Sequence, residues 1–172
     1  MKKIGIVLTA LIAGMLLVNC STTQIYLVRH AEKASSPPGN PPLTEAGQQR
    51  AMALAETLQN KNIRHVYSTK TLRTMSTAEP LAKQAGLAIQ AYSPDTLWET
   101  VRYLTGLPKG NVLVVGHSNT LLPMLDQFPV KHAKQTIPDS DYDNLFIVSY
   151  KKRFGKATRM QLQETTFGAY AE

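Results

Sequence analysis

The chain holds a single cysteine, Cys20, in 172 residues, and its four histidines stand far apart. One thiol leaves no partner for an internal disulfide. His30, His65, His117 and His132 lack the close ligand spacing of a metal site, so no metal is expected. A glycine-rich nucleotide loop of the Walker or dinucleotide type is missing as well, and no cofactor is expected. There is no internal repeat and no long low-complexity tract. Lys151-Lys152-Arg153 is a short basic cluster without a stripe or an aromatic platform around it, which argues against nucleic acid as a partner. The longest apolar run, Ile4 to Val18, falls short of the ~20 residues that a membrane-spanning helix needs.

What is present reads as one globular domain. A charged fraction of 18% with 43% hydrophobic residues excludes a disordered chain, and the length suffices for one real core. Met1-Lys2-Lys3 followed by the apolar run reads as a secretory signal. It ends in Leu17-Val18-Asn19-Cys20 and then polar Ser21-Thr22-Thr23, which resembles a bacterial lipobox with Asn19 in place of the usual small residue. That resemblance implies lipidation of Cys20; an ordinary signal with an incidental cysteine is the alternative. Ser21 resembles the residue that follows the cysteine in lipoproteins of the outer membrane. The expected organisation is a signal peptide over 1–20 and a domain over 21–172. The expected place is the bacterial cell envelope, lipid-anchored at the outer membrane and facing the periplasm. Without Lys2 and Lys3 the formal charge falls from +7 to +5, which suits either a solvated surface near anionic lipid or steering of anionic substrates.

Two stretches organise the rest. Gln24-Ile25-Tyr26-Leu27-Val28 is a β-branched apolar run that stops at Arg29-His30. Asn111 to Val115 is a second such strand, ending at Gly116-His117-Ser118-Asn119. Each delivers a histidine where a strand leaves a sheet, which is where open α/β sheets bind ligands.

Arg29-His30-Ala31-Glu32, the block Val66 to Ala78 with Arg73, and Val115-Gly116-His117-Ser118-Asn119 resemble, in that order, the histidine phosphatase superfamily (phosphoglycerate-mutase-like, branch 1), in its small phosphohistidine-phosphatase-like lipoprotein members. Leu43-Thr44-Glu45-Ala46-Gly47-Gln48 resembles the start of the family's first helix. The likeness runs from about Gln24 to Tyr150. It implies His30 as nucleophile, with Arg29, Arg73 and His117 forming the phosphate pocket. Ser118 and Asn119 are expected as further substrate contacts. A leaving oxygen needs a proton, and in the family the acid follows the third strand. Asp95 holds that place, Glu99 is one helical turn on, and Glu32 is a third candidate unless it orients Arg29 or Lys33.

The expected fold is an α/β three-layer sandwich with a mostly parallel central sheet flanked by helices. Thr44 should cap the first helix, and a second should run from Ser68 to Ala78, broken by Pro80. Strands are expected at Ile63 to Tyr67, Leu87 to Tyr92, Leu145 to Tyr150 and Thr158 to Gln163. A third helix should begin at Ser93-Pro94-Asp95 and a fourth cover Thr120 to Gln127, interrupted by Pro123. The proline-rich loop Ser35 to Pro42 should form part of the pocket wall. His65 reads as structural and His132 as exposed. The expected function is metal-independent hydrolysis of a small phosphoester or phosphohistidine through a phosphohistidine on His30. The domain is small for a mutase of the superfamily. The alternative is a non-catalytic envelope lipoprotein that binds phosphorylated ligands.

Overall fold

The computed structural model describes residues 22–153 and 155–168. The leader and Cys20 lie outside the described residues. Six strands form one sheet: β1 (Thr22–Arg29), β2 (Ile63–Ser68), β3 (Ile89–Ala91), β4 (Asn111–Gly116), β5 (Asn144–Arg153) and β6 (Lys156–Thr166). Four helices connect them: α1 (Glu45–Leu58), α2 (Leu72–Ala85), α3 (Leu97–Gly106) and α4 (Ser118–Leu125). The strand order is β3-β2-β4-β1-β5-β6. The first four strands are parallel, and β5 and β6 add an antiparallel wing, so the sheet is mixed.

Successive strand residues point to opposite faces, and both faces are covered. Ile25, Leu27, Val112, Val114, Phe146 and Val148 pack with Val101 and Leu104 of α3 and with Leu121 and Leu125 of α4. Tyr26, Val28, Leu113, Val115 and Leu145 pack on the other side with Leu54 and Leu58 of α1 and with Ala78 and Leu81 of α2. These are the three expected layers. Burial on both sides explains why β1 and β4 read as continuous apolar runs rather than as alternating patterns.

Several boundaries differ from expectation. Helix α2 starts at Leu72, four residues late, because β2 runs on through Ser68. Pro80 does not break α2, and Pro123 does not break α4. An interior proline costs ~3 kcal/mol. Flanking Leu81 and Ala82, or Leu121, Leu122, Met124 and Leu125, are buried, and each large apolar side chain returns ~1.5–3 kcal/mol. Tertiary packing therefore wins. Strand β3 keeps only Ile89–Ala91, and α3 begins at Leu97, which leaves Asp95 in the turn before it. Thr44 caps α1 as expected, with Oγ1 accepting from Gly47 N at 3.1 Å. His132 is not exposed: its side chain is 13% accessible and pairs with Asp126 at 3.1 Å. His65 lies half-buried in β2.

Candidate active site

The sheet register brings the two histidines together. β1 and β4 are adjacent and parallel, with Arg29 opposite Gly116. The His30 N–H donates to the Gly116 carbonyl at 2.9 Å, continuing the ladder one step past both strands. The His30 and His117 rings follow with centroids 5.4 Å apart, edge to face. Gly116 is required by close approach: a Cβ there would meet Tyr92 Oη at 2.7 Å and Thr120 Oγ1 at 3.0 Å.

His30 is 3% exposed, and its Nδ1 lies 2.8 Å from its neighbour's carbonyl, Ala31 O. A carbonyl can only accept, so Nδ1 carries the proton and Nε2 keeps its lone pair. Burial lowers the His30 pKa to about 3, aided by Arg29, His117 and Arg73, while the Ala31 carbonyl opposes. The imidazole is therefore neutral at ordinary pH. His117 Nε2 lies 2.8 Å from Thr69 Oγ1, and burial, then Arg73 and Arg29, lowers its pKa to about 4. Arg73 is itself lowered by burial and by Arg29. Arg29, His30, Arg73 and His117 are thus close enough to influence one another's charge, around the two histidine rings.

The supports are local. Thr77 Oγ1 accepts from Ala31 N at 2.9 Å and donates to Arg73 O at 2.7 Å, tying the nucleophile loop to α2. Thr69, Thr71 and Thr74 hold one another at 2.8–3.0 Å beneath His117. The proline-rich loop touches the site: Arg73 Nη1 donates to Gly39 O at 3.5 Å, and Leu72 N to Asn40 Oδ1 at 2.7 Å. A guanidinium Nε–H is buried without a partner in both Arg29 and Arg73. Unpaired buried donors are costly, and an oxyanion would satisfy them.

Arg29 is clamped by a segment whose role was not read from the sequence. Its Nη1 donates to the carbonyls of Pro138, Asp139 and Asp141 at 2.8, 3.1 and 3.1 Å, and its Nη2 to Asp139 Oδ1 at 3.2 Å. The Tyr142 ring covers the guanidinium at 4.4 Å and stands 6.1 Å from the His30 ring. Lys134 pairs with Asp141 at 2.6 Å and pins this loop. Only the acidic-aromatic run Asp139 to Asp143 could have signalled it.

The acid candidates separate. Glu32 is engaged by Arg50, whose Nε sits 2.8 and 2.9 Å from its two oxygens and whose Nη2 is 2.7 Å away. That pair corrects the reading in which Glu32 orients Arg29 or Lys33, because both Glu32 oxygens are taken up by Arg50. Asp95 is exposed and shares local hydrogen bonds with Ser93. Glu99 is exposed along a groove on α3 with Trp98, Arg102 and Tyr103. Ser118 and Asn119 open α4 directly after His117, Ser118 half-buried and Asn119 exposed.

Two neutral histidines and two arginines thus gather at the carboxyl edge of the parallel strands, a set of groups suited to an oxyanion. Residues 25–99 match the model of the histidine phosphatase superfamily, branch 1. Over that segment, which is less than half of the chain, the sequence is similar to that superfamily. It is 38% identical over 72 residues to the probable phosphoglycerate mutase GpmB of Salmonella choleraesuis, which covers 38% of this chain and 34% of that protein. The chain thus spans about a third of the length of the curated relatives it matches. Two solved structures share the fold. One is a mycobacterial glucosyl-3-phosphoglycerate phosphatase, with a TM-score of 0.57 and 14% identity, covering 83% of this chain and 97% of that one. The other is the protein histidine phosphatase SixA complexed with tungstate, with a TM-score of 0.58 and 21% identity, covering 83% and 96%.

Proposed function

We propose that the chain is a metal-independent phosphatase acting on a small phosphoester or a phosphohistidine. The observation that carries the reading is His30: a buried neutral imidazole, its Nδ1 held by Ala31 O, within reach of two arginines with orphaned Nε donors. In this reading the Nε2 lone pair forms an N–P bond as the P–O or P–N bond to the leaving group breaks. Arg29, Arg73 and His117 hold the equatorial oxygens and the charge on them. Water then attacks phosphorus, the N–P bond breaks, and phosphate leaves. Ser118 and Asn119 are further contacts for the bound group.

The leaving group must take a proton. With Glu32 tied to Arg50, Asp95 is the first candidate and Glu99 the second. The exposure of both favours a phosphoramidate such as phosphohistidine, whose leaving nitrogen is easier to protonate. Proteins that share the fold include a glucosyl-3-phosphoglycerate phosphatase and a protein histidine phosphatase, which supports this substrate range. The clamp on Arg29 favours one rival, a non-catalytic protein that binds phosphorylated ligands without turnover. His30→Ala is the test. Hydrolysis of an aryl phosphate should vanish while the circular dichroism spectrum is kept; retained turnover overturns the assignment. Wild-type phosphate binding with no turnover selects the rival.

We also infer a lipid anchor at Cys20, with the domain at the outer membrane facing the periplasm. The support is the sequence of residues 1–20 alone. Processing in cells should stop with globomycin, and unchanged processing would overturn the anchor.

A further inference from the structure

The histidines occupy the carboxyl edge of the parallel strands. The opposite edge gathers cations from segments far apart in sequence. Lys61 lies just before β2, and Arg64 is its second residue, packed over the turn where a Cβ on Gly110 would strike its Cγ at 2.4 Å. Lys109 precedes β4. Lys151 and Lys152 end β5, which runs antiparallel and so reaches the same edge, and Lys156 starts β6. Lys152 Nζ donates to the Leu107 carbonyl, joining this hairpin to the end of α3. Lys61, Arg64, Lys109 and Lys156 are exposed.

One part of this edge is shaped. The β5–β6 register slips between Ser149 and Lys151, leaving Arg159 and Met160 in a bulge, and Arg159 has a φ of +53°. Such a bulge re-aims side chains at the cost of backbone strain. Here Arg159 joins Lys151, Thr22, Ser149, Tyr150 and Gln161 around a cleft of about 240 Å³. Acidic residues gather at the other edge instead: Glu32 and Glu45 follow β1, Asp95 follows β3, and Asp139, Asp141 and Asp143 precede β5. Of the helix acids, Glu56 lies in the last turn of α1, and Asp126, which follows α4, is paired with His132.

We propose that this basic edge is a docking surface for an anionic lipid bilayer. Thr22, the first residue described, pairs with Lys151 within it, and Cys20 stands two residues before Thr22 in the sequence. A lipid anchor and a cation cluster at one edge are two signals that together hold a protein on a bilayer. The cleft is of headgroup size and presents two cations at its mouth. Docked this way, the histidine pocket faces away from the membrane, open to soluble substrates. The orientation rests on the anchor proposed above, whereas the contribution of the cations is read without it and without catalysis.

The test compares the full chain with its Lys109→Glu, Lys151→Glu, Arg159→Glu variant on phosphatidylglycerol and phosphatidylcholine vesicles. Lys2 and Lys3 are present in both proteins, so the difference reads the edge alone. Each cation near such a surface is worth about fivefold in partitioning, so loss of the three cations alone should cost the triple variant at least about a hundredfold on the anionic vesicles and little on the neutral ones. Lys109→Gln with Lys156→Gln, two exposed positions, gives the same readout should the triple variant not fold; about a twentyfold loss is expected. Equal partitioning of wild type and variant on anionic vesicles overturns the proposal. So does tighter binding of wild type to a DNA duplex than to those vesicles at the same salt.

Discussion

Burial of two neutral histidines makes stability depend on pH in a specific way. His30 and His117 have folded pKa values of about 3 and about 4 against 6.5 for the free side chain. The sign follows from proton counts. Below pH ~6.5 the unfolded chain binds protons that the folded chain refuses, so stability falls as pH falls, until the folded pKa is reached. Between about pH 8 and pH 5 each imidazole costs ~2 kcal/mol, and the pair at most ~4 kcal/mol. Urea unfolding at both pH values measures the loss. His30→Asn removes one titrating group, so its loss over the same interval should be ~2 kcal/mol smaller than that of wild type. Subtraction cancels His65, which burial also lowers, and His132, which Asp126 raises. Parallel pH profiles for wild type and His30→Asn would refute the buried neutral imidazole, and with it the lone pair on Nε2.

Asp139 competes with a substrate phosphate for Arg29, so Asp139→Asn should lower the KM for an aryl phosphate about twofold, a small effect because the carboxylate is almost fully exposed; steady-state kinetics reads it. Arg50→Leu leaves the Glu32 carboxylate unpaired at the base of the nucleophile loop and should cost roughly 3 kcal/mol in urea unfolding. Thr77→Val removes the hydroxyl between Ala31 N and Arg73 O, and a loss of ~1–3 kcal/mol with a lower kcat is expected. Gly47→Ala drives a Cβ to 2.2 Å from Glu32 O, so a loss of ~1–3 kcal/mol should appear as a lower melting temperature.

What the sequence disclosed and what it hid divide along a physical line. Strands β1 and β4 were legible because both their faces are buried, which forces unbroken apolar runs. His30 and His117 were legible because both follow such runs at the same offset, and Arg73 because the block around it resembles the family. Prolines 80 and 123 misled because local propensity cannot weigh the buried leucines beside them. The Arg29 clamp was hidden for a different reason. Three of its four contacts are backbone carbonyls, at Pro138, Asp139 and Asp141, and a carbonyl is present at every residue. Only the path of the chain decides which carbonyls meet a guanidinium. The clamp also changes how Arg29 serves the site: its Nη atoms fix the loop that carries Tyr142 past His30, and its Nε remains for an oxyanion. The basic edge escaped for the same reason, since Lys61, Lys109 and Lys151 become neighbours only once β2, β4 and the antiparallel β5 lie in one sheet.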